Sequence, residues 1–400
     1  MNEDPASQSL SRRTLLGRVI KGVGVTLALG HPVSRVWAEG GAVSKQETDD
    51  LIVHVARPLD AETPVREFTS YLTPNPRFFV RSHFGPPPVE LLSDQNWKLT
   101  VGGIVERPLT LTLNELKQSE EVTLTAVVQC SGNGRAAHRP KTPGVQWDRG
   151  AVGNARWTGV RLRDVLTQAG MQTKGRHVQF QGADRPVSTT VPLFVRSIPV
   201  EKALHPDTIL AYEMNGRPLP ILHGAPLRVI TPGWMGDSCI KWLTDITVSQ
   251  EEATGYFMQT AYRYPTKPVT PGEAIPASDL KPVEAMIVKS LIVQPQEAAS
   301  VMPGPVTIQG VAWTGEGKIV RVEVSLDAGQ TWEPARLIGE AQPYAWRQWQ
   351  YIWQATVYGT RTILCRATDD QGEMQPMTGA WNPGGFLWNG WDRVSVTVAE

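Results

Sequence analysis

The sequence predicts an α+β domain followed by an all-β sandwich, and three observations carry that reading. Between Val122 and Val128 the apolar residues Val122, Leu124, Ala126 and Val128 take every second position, the period of a strand with one buried face. Gly159 to Leu166 carries apolar residues at three- and four-residue spacing and leads to Gly170, the pattern of an amphipathic helix with a glycine stop. Beyond residue 283 the runs MIVKSLIV, VTIQGVAW, KIVRVEVSLD, RTILCRAT and RVSVTVAE alternate with turn signals such as Asp327-Ala328-Gly329. About seven such strands in roughly 115 residues suggest an immunoglobulin-like sandwich.

Composition narrows the function classes. The 400 residues allow two or three domains, and the formal net charge of zero points to neither nucleic acid nor an anionic membrane surface. Any anion selectivity must come from a local cluster of arginines. Three cysteines, Cys130, Cys239 and Cys365, are too few for a disulfide framework, and the chain has no CxxC or CxxCH motif for covalent haem.

In chain order, Ser11-Arg12-Arg13-Thr14-Leu15-Leu16 precedes a short apolar run from Val19 to Leu29, and Val36-Trp37-Ala38 offers a small-residue cleavage site. Residues 1–38 therefore read as a twin-arginine signal, with the mature protein in the periplasm. Residues 39–66 are polar without periodicity and read as an arm. A catalytic domain is expected over 67–255, a Tyr-, Pro- and Thr-rich linker over 256–282, and the sandwich over 283–400.

The chemistry centres on QCSGNGR, Gln129 to Arg135. A rigid strand delivers the Cys130 thiol, and the Ser-Gly-Asn-Gly turn lets backbone approach a large ligand closely. Arg135, His138, Arg139 and Lys141 follow, and cations near a thiol favour the thiolate, the form that binds metal or attacks. Upstream, Arg81 and His83 in FFVRSH lie two apart in an extended segment and point to one face, where they can bind an anion together. Asn215-Gly216 between apolar runs signals a hairpin that presents Tyr212.

Three stretches resemble the sulfite oxidase family: TPNPRFFVRSH, QCSGNGR with the downstream GVQWDRGAVGNARWTGVRLRDVL, and ILAYEMNGRPLPILHGAPLRVITPGWMGDSCIKWL. The resemblance implies a molybdopterin-binding fold in which Cys130 is the protein's one ligand to molybdenum, the pterin dithiolene supplying the others. It assigns Arg81 and Arg135 to the substrate anion, Tyr212 to the metal's reactive side, and Trp147 and Arg347 to the pocket. It assigns Phe79, Val80, Arg81, Ser82, His83, Asp184, His223, Arg228, Cys239, Ile240 and Lys241 to the molybdenum-molybdopterin cofactor. Several relatives carry His where Cys239 stands. The implied function is oxidation of sulfite to sulfate by a haem-free chain that passes electrons to an external acceptor, a periplasmic c-type cytochrome. The sandwich would form a homodimer, and the density of tryptophans there, eight of the chain's fourteen, fits an interface. The alternatives are a sulfane-sulfur dehydrogenase or sulfoxide reductase of the same fold, an anion-binding module without redox activity, and a thiol hydrolase pairing Cys130 with His138.

Overall fold

The computed structural model describes residues 50–93 and 95–400, so the expected signal peptide lies outside the described residues. Residues 50–66, expected as part of an arm, are folded. Strands β1 (Ile52–Ala56) and β2 (Leu59–Glu62) form an antiparallel hairpin. Its hidden face is polar, which is why no apolar period shows: Asp60, Glu62 and Thr63 are buried. Each has a partner in the next domain, Asp60 accepting from Arg81 and Glu62 from the Asp148 amide.

The catalytic domain contains two five-stranded sheets. In the first, the order is β4 (Leu109–Leu111), β3 (Leu99–Gly103), β12 (Leu243–Ser249), β7 (His177–Gly182) and β8 (Val195–Pro199). Only the β12–β3 pairing in it is parallel. In the second, β10 (Arg217–Pro218), β9 (Ile209–Met214), β6 (Val152–Arg161) and β5 (Glu121–Gln129) run antiparallel, and β11 (Arg228–Ile230) also pairs with β9. The expected helix starts late, at Leu162–Gln168, because β6 continues through Arg161. It ends at Gly170 with φ of +67°, as a glycine stop requires.

Two apolar clusters divide the domain. Leu210 and Tyr212 of β9 join one, with Val160 and Leu162; Ile209 and Ala211 of the same strand join the other, with Cys130 and Cys239. The two-residue period of a strand therefore decides which side chains of β9 meet the thiol.

The C-terminal residues form the expected sandwich. One sheet orders Lys289–Gln294, Gly304–Trp313, Arg347–Ala355 and Arg336–Ile338. The other orders Ala299–Val301, Asp392–Val398, Gly359–Asp369, Ile319–Ser325 and Glu333–Pro334. Cys365 is buried in its core, as expected. Of its tryptophans, Trp349 and Trp353 fill the sandwich core, and Trp346 bonds the Tyr71 carbonyl at 2.8 Å.

The sandwich also clamps the loop that carries the thiol. Trp313 donates to the Gln129 side chain at 2.7 Å, Lys289 to the Asn133 carbonyl at 3.3 Å, and the Leu387 amide to the Ser131 carbonyl at 3.0 Å. Trp388 packs so closely on Gly134, where φ is +92°, that a Cβ there would lie 2.7 Å from its ring. The turn after Cys130 is thus set by contacts from both domains.

Candidate active site

A cleft lies at the end of β5. Cys130 lines it, its amide bonded to the Ala151 carbonyl at 2.9 Å. Burial pushes the thiol pKa up, and the guanidinium groups of Arg81 and Arg135 oppose that shift. Of the residues expected at the cofactor, Phe79, Arg81, Ser82, His83, Asp184, His223, Arg228, Cys239, Ile240 and Lys241 all line the same cleft. Val80 does not. It pairs with Ala61 and packs in the hairpin cluster with Leu51 and Leu222.

Arg81 is fixed by Asp60 at 3.1 and 3.2 Å, and its other terminal nitrogen lies 3.1 Å from His83 Nδ1. Burial, followed by the nearby Arg81, holds the His83 pKa well below its ordinary value, so the ring is neutral. Arg81 can only donate, and it lies closer to Nδ1 than to Nε2 (3.1 against 3.4 Å), which assigns the His83 proton to Nε2 and its hydrogen bond to the Tyr262 oxygen 2.7 Å away. The phenol proton of Tyr262 is then left to donate to a third atom, and burial pushes the Tyr262 pKa up to about 12. Tyr262 lines the cleft directly after the π-helical turn Phe257–Ala261.

Elsewhere in the cleft are the groups suited to a large anion. Burial pushes Lys241 down to about 7, helped by Arg228, and the Lys241 ammonium bonds Ser82 Oγ at 2.8 Å and the Leu222 carbonyl at 2.9 Å. Burial likewise pushes His223 down to about 3 and Asp184 up to about 6. The buried Arg228 bonds the carbonyls of His223 and Cys239, yet its Nε has no partner among the described residues. Such donors, crowded and partly unanswered, fit a phosphate-bearing cofactor.

Four residues expected at the substrate stand elsewhere. Tyr212 occupies the register shift between β9 and β6, faces the opposite cluster, and donates to Glu121 Oε2 at 2.8 Å. Trp147 is fully buried behind the cleft with its ring 5.0 Å from that of His54. Arg347 donates to the Gly339 carbonyl at 2.7 Å inside the sandwich, whereas its neighbour Trp346 turns toward the catalytic domain. Arg135 does not line the cleft: it is buried with Nε on the Gly384 carbonyl and Nη1 on that of Val145, acting on the thiol by charge. Sequence reasoning missed Tyr262, Asp60, Ser131, Asp237 and Phe194. Among them only Ser131, beside the thiol in QCSGNGR, carried a signal in the sequence.

Among the described residues no three His, Cys, Asp or Glu side chains converge as a metal cage. A metal at Cys130 would need donors from outside these side chains, and the cleft sets the cations Arg228 and Lys241 where an anionic ligand could supply them. The fold and site thus define a molybdopterin-binding oxidoreductase module joined to a sandwich. Residues 84–257 match the family model described as oxidoreductase molybdopterin binding domain, and residues 281–399 that of the Mo-co oxidoreductase dimerisation domain. The chain is 39% identical over 367 residues to human mitochondrial sulfite oxidase, covering 87% of this chain and 66% of that protein. It is 34% identical to Arabidopsis thaliana sulfite oxidase, covering 88% of this chain and 94% of that one. The chain belongs to the sulfite oxidase family. It spans about two thirds of the length of several animal relatives. Among solved structures it is similar to the sulfane dehydrogenase SoxCD from Paracoccus pantotrophus, with a TM-score of 0.75 and 26% identity over 93% of this chain and 96% of that one.

Proposed function

We propose that the chain oxidises sulfite to sulfate at a molybdenum-pterin centre and passes the electrons singly to an external c-type cytochrome. The observation that carries this reading is the meeting of the Cys130 thiol, Arg81 and Tyr262 in one cleft with the cationic set Arg228 and Lys241. When bound, the cofactor supplies two-electron oxidation with oxygen-atom transfer; Cys130 would hold its metal, and His223, Arg228 and Lys241 its pterin and phosphate.

The chain's own residues then have distinct tasks. Arg81, held by Asp60, presents a permanent planar cation to a trigonal oxyanion. Its charge stabilises sulfite on arrival and the sulfate that replaces it. Tyr262 donates its free proton to an oxygen of the substrate or product, while His83 fixes the phenol oxygen without competing for that proton. Phe194, its ring tilted against that of His83 with centroids 4.6 Å apart, makes one wall of the cleft apolar and strengthens these interactions by excluding water. Arg135, which touches no cleft surface, adds positive potential at the thiol.

The proposal extends to a homodimer formed through the sandwich and to export as a folded protein into the periplasm. No helix of the described residues is long and apolar enough to cross a membrane. A second reading, oxidation of sulfane sulfur, is favoured by the similarity to the sulfane dehydrogenase structure. Stopped-flow reduction of a soluble c-type cytochrome by the holoenzyme with sulfite, beside the same assay with a persulfide donor, separates the two. Sulfite-driven reduction supports the first reading, and turnover with the persulfide alone replaces it with the second.

A further inference from the structure

A buried ion pair beside the cleft is unused by this mechanism. Arg196 on β8 is 1% exposed, and its Nη2 lies 2.7 Å from Asp237 Oδ2, itself on the turn Gly236–Ser238. The other carboxylate oxygen of Asp237 accepts from the hydroxyl of Ser131, the residue that follows Cys130. Arg196 also donates to the Phe257 carbonyl at 2.7 Å, at the start of the turn that leads to Tyr262, and its guanidinium lies 5.3 Å from the centroid of the Tyr262 ring. A further bond reaches the Val283 carbonyl at 3.4 Å. The turn carrying Asp237 has no slack: a Cβ on Gly236 would sit 3.0 Å from the Gln129 carbonyl, one residue before the thiol.

Two side chains thus join the segment bearing the thiol to the segment bearing the phenol. Those segments are separated by more than a hundred residues and share no strand pairing that would fix their spacing. Stability is a poor reason for such a pair. Burying two charges costs most of what their attraction returns, and well-packed apolar replacements are often no less stable. Geometry is a better one, because a guanidinium fork and a carboxylate define direction as well as distance.

We propose that Arg196 and Asp237 are positioning residues that set the Cys130 thiol relative to the Tyr262 hydroxyl. The proposal rests on the functional reading above. It fixes how the metal ligand and the proton donor are held in register, and neither Arg196 nor Asp237 touches the sulfur that reacts.

The test uses holoenzyme of the wild type, Asp237→Asn, Arg196→Lys and the apolar double variant Arg196→Met with Asp237→Leu. Four quantities are read: molybdenum content, thermal midpoint, kcat and KM for sulfite per molybdenum, and the visible thiolate-to-metal absorption band. Misplacement of a reacting group by an ångström or less is expected to lower kcat by about tenfold or more. KM should move little, since Arg81 is untouched, and the absorption band should shift as the thiolate turns. The double variant should keep a thermal midpoint near that of the wild type and still show the kcat loss. Wild-type kcat per molybdenum with an unmoved band, in the double variant or in Arg196→Lys, overturns the proposal and leaves the pair a packing feature. Should the double variant fail to fold, Arg196→Lys decides alone, since it keeps the charge and loses the fork. If the wild type itself does not turn over sulfite, the functional reading has failed, and the band decides the positioning proposal by itself.

Discussion

The Tyr262 hydroxyl and His83 Nε2 lie 2.7 Å apart, and both side chains line the cleft that holds the Cys130 thiol. Because Arg81 already donates to the other ring nitrogen of His83, the phenol accepts from the histidine and keeps its own proton for the substrate. Tyr262→Phe removes that donor and nothing of the packing. The expected effect is a fall in kcat/KM for sulfite of about 10- to 100-fold, or about 1.4–2.7 kcal/mol of transition-state stabilisation. Tyr212→Phe serves as the control. Its hydroxyl bonds Glu121 on the far side of the sheet, so steady-state rates should be unchanged while stability falls by about 1 kcal/mol.

Arg81→Lys should not be conservative. The lysine keeps the charge but loses the fork that spans Asp60 and His83. A loss of about 2–4 kcal/mol in kcat/KM is expected, with KM for sulfite raised as well as kcat lowered. Arg347→Ala, at a side chain occupied with the Gly339 carbonyl, should leave both constants at wild-type values.

His138 should weaken the fold in mild acid. It is fully buried, neither ring nitrogen has a partner among the described residues, and burial with nearby Arg135 and Lys289 pushes its pKa down to about 4. The folded chain therefore binds this proton less readily than the unfolded chain does. Stability from His138 is complete above the ordinary histidine value of about 6.5 and is lost progressively as pH falls toward about 4. Urea midpoints at neutral pH and near pH 5 measure the drop, which His138→Phe should reduce. An identical drop in that variant would show that His138 does not titrate with folding.

Gly134→Ala tests the clamp between domains. The backbone is left-handed at φ of +92° and the new Cβ would sit 2.7 Å from the Trp388 ring. Strain and overpacking together should cost about 2–4 kcal/mol of stability. Cofactor content in purified protein should fall with it, since the same turn carries the thiol; a variant with the wild-type denaturation midpoint would contradict the packing described.

How far the sequence revealed this arrangement depended on whether a residue belonged to a periodic element. The strand ending at Cys130, the Arg81–His83 pair and the sandwich strands all announce themselves by a two-residue period. Tyr262 lies in a stretch of Pro, Tyr and Thr after a π-helical turn, and no local pattern distinguishes it from a linker. Tyr212 misled because it sits in a strand buried on both faces, where a register shift, invisible in the sequence, decides which face it takes. Asp60 was hidden for the opposite reason. Its hairpin buries polar groups that pair across domains, so the stretch reads as solvent-exposed chain. The tryptophans of the sandwich drew attention to an outer interface, yet Trp388 and Trp346 meet the catalytic domain of the same chain.

The most direct measurement is molybdenum content together with sulfite-dependent cytochrome c reduction, on wild-type protein beside Cys130→Ser. Stoichiometric molybdenum and sulfite turnover in the wild type are expected, with both turnover and the thiolate-to-metal absorption band lost in Cys130→Ser. A wild-type protein, isolated folded with its cofactor pathway intact, that holds no molybdenum or keeps its activity without the Cys130 thiol would contradict the assignment of this cleft.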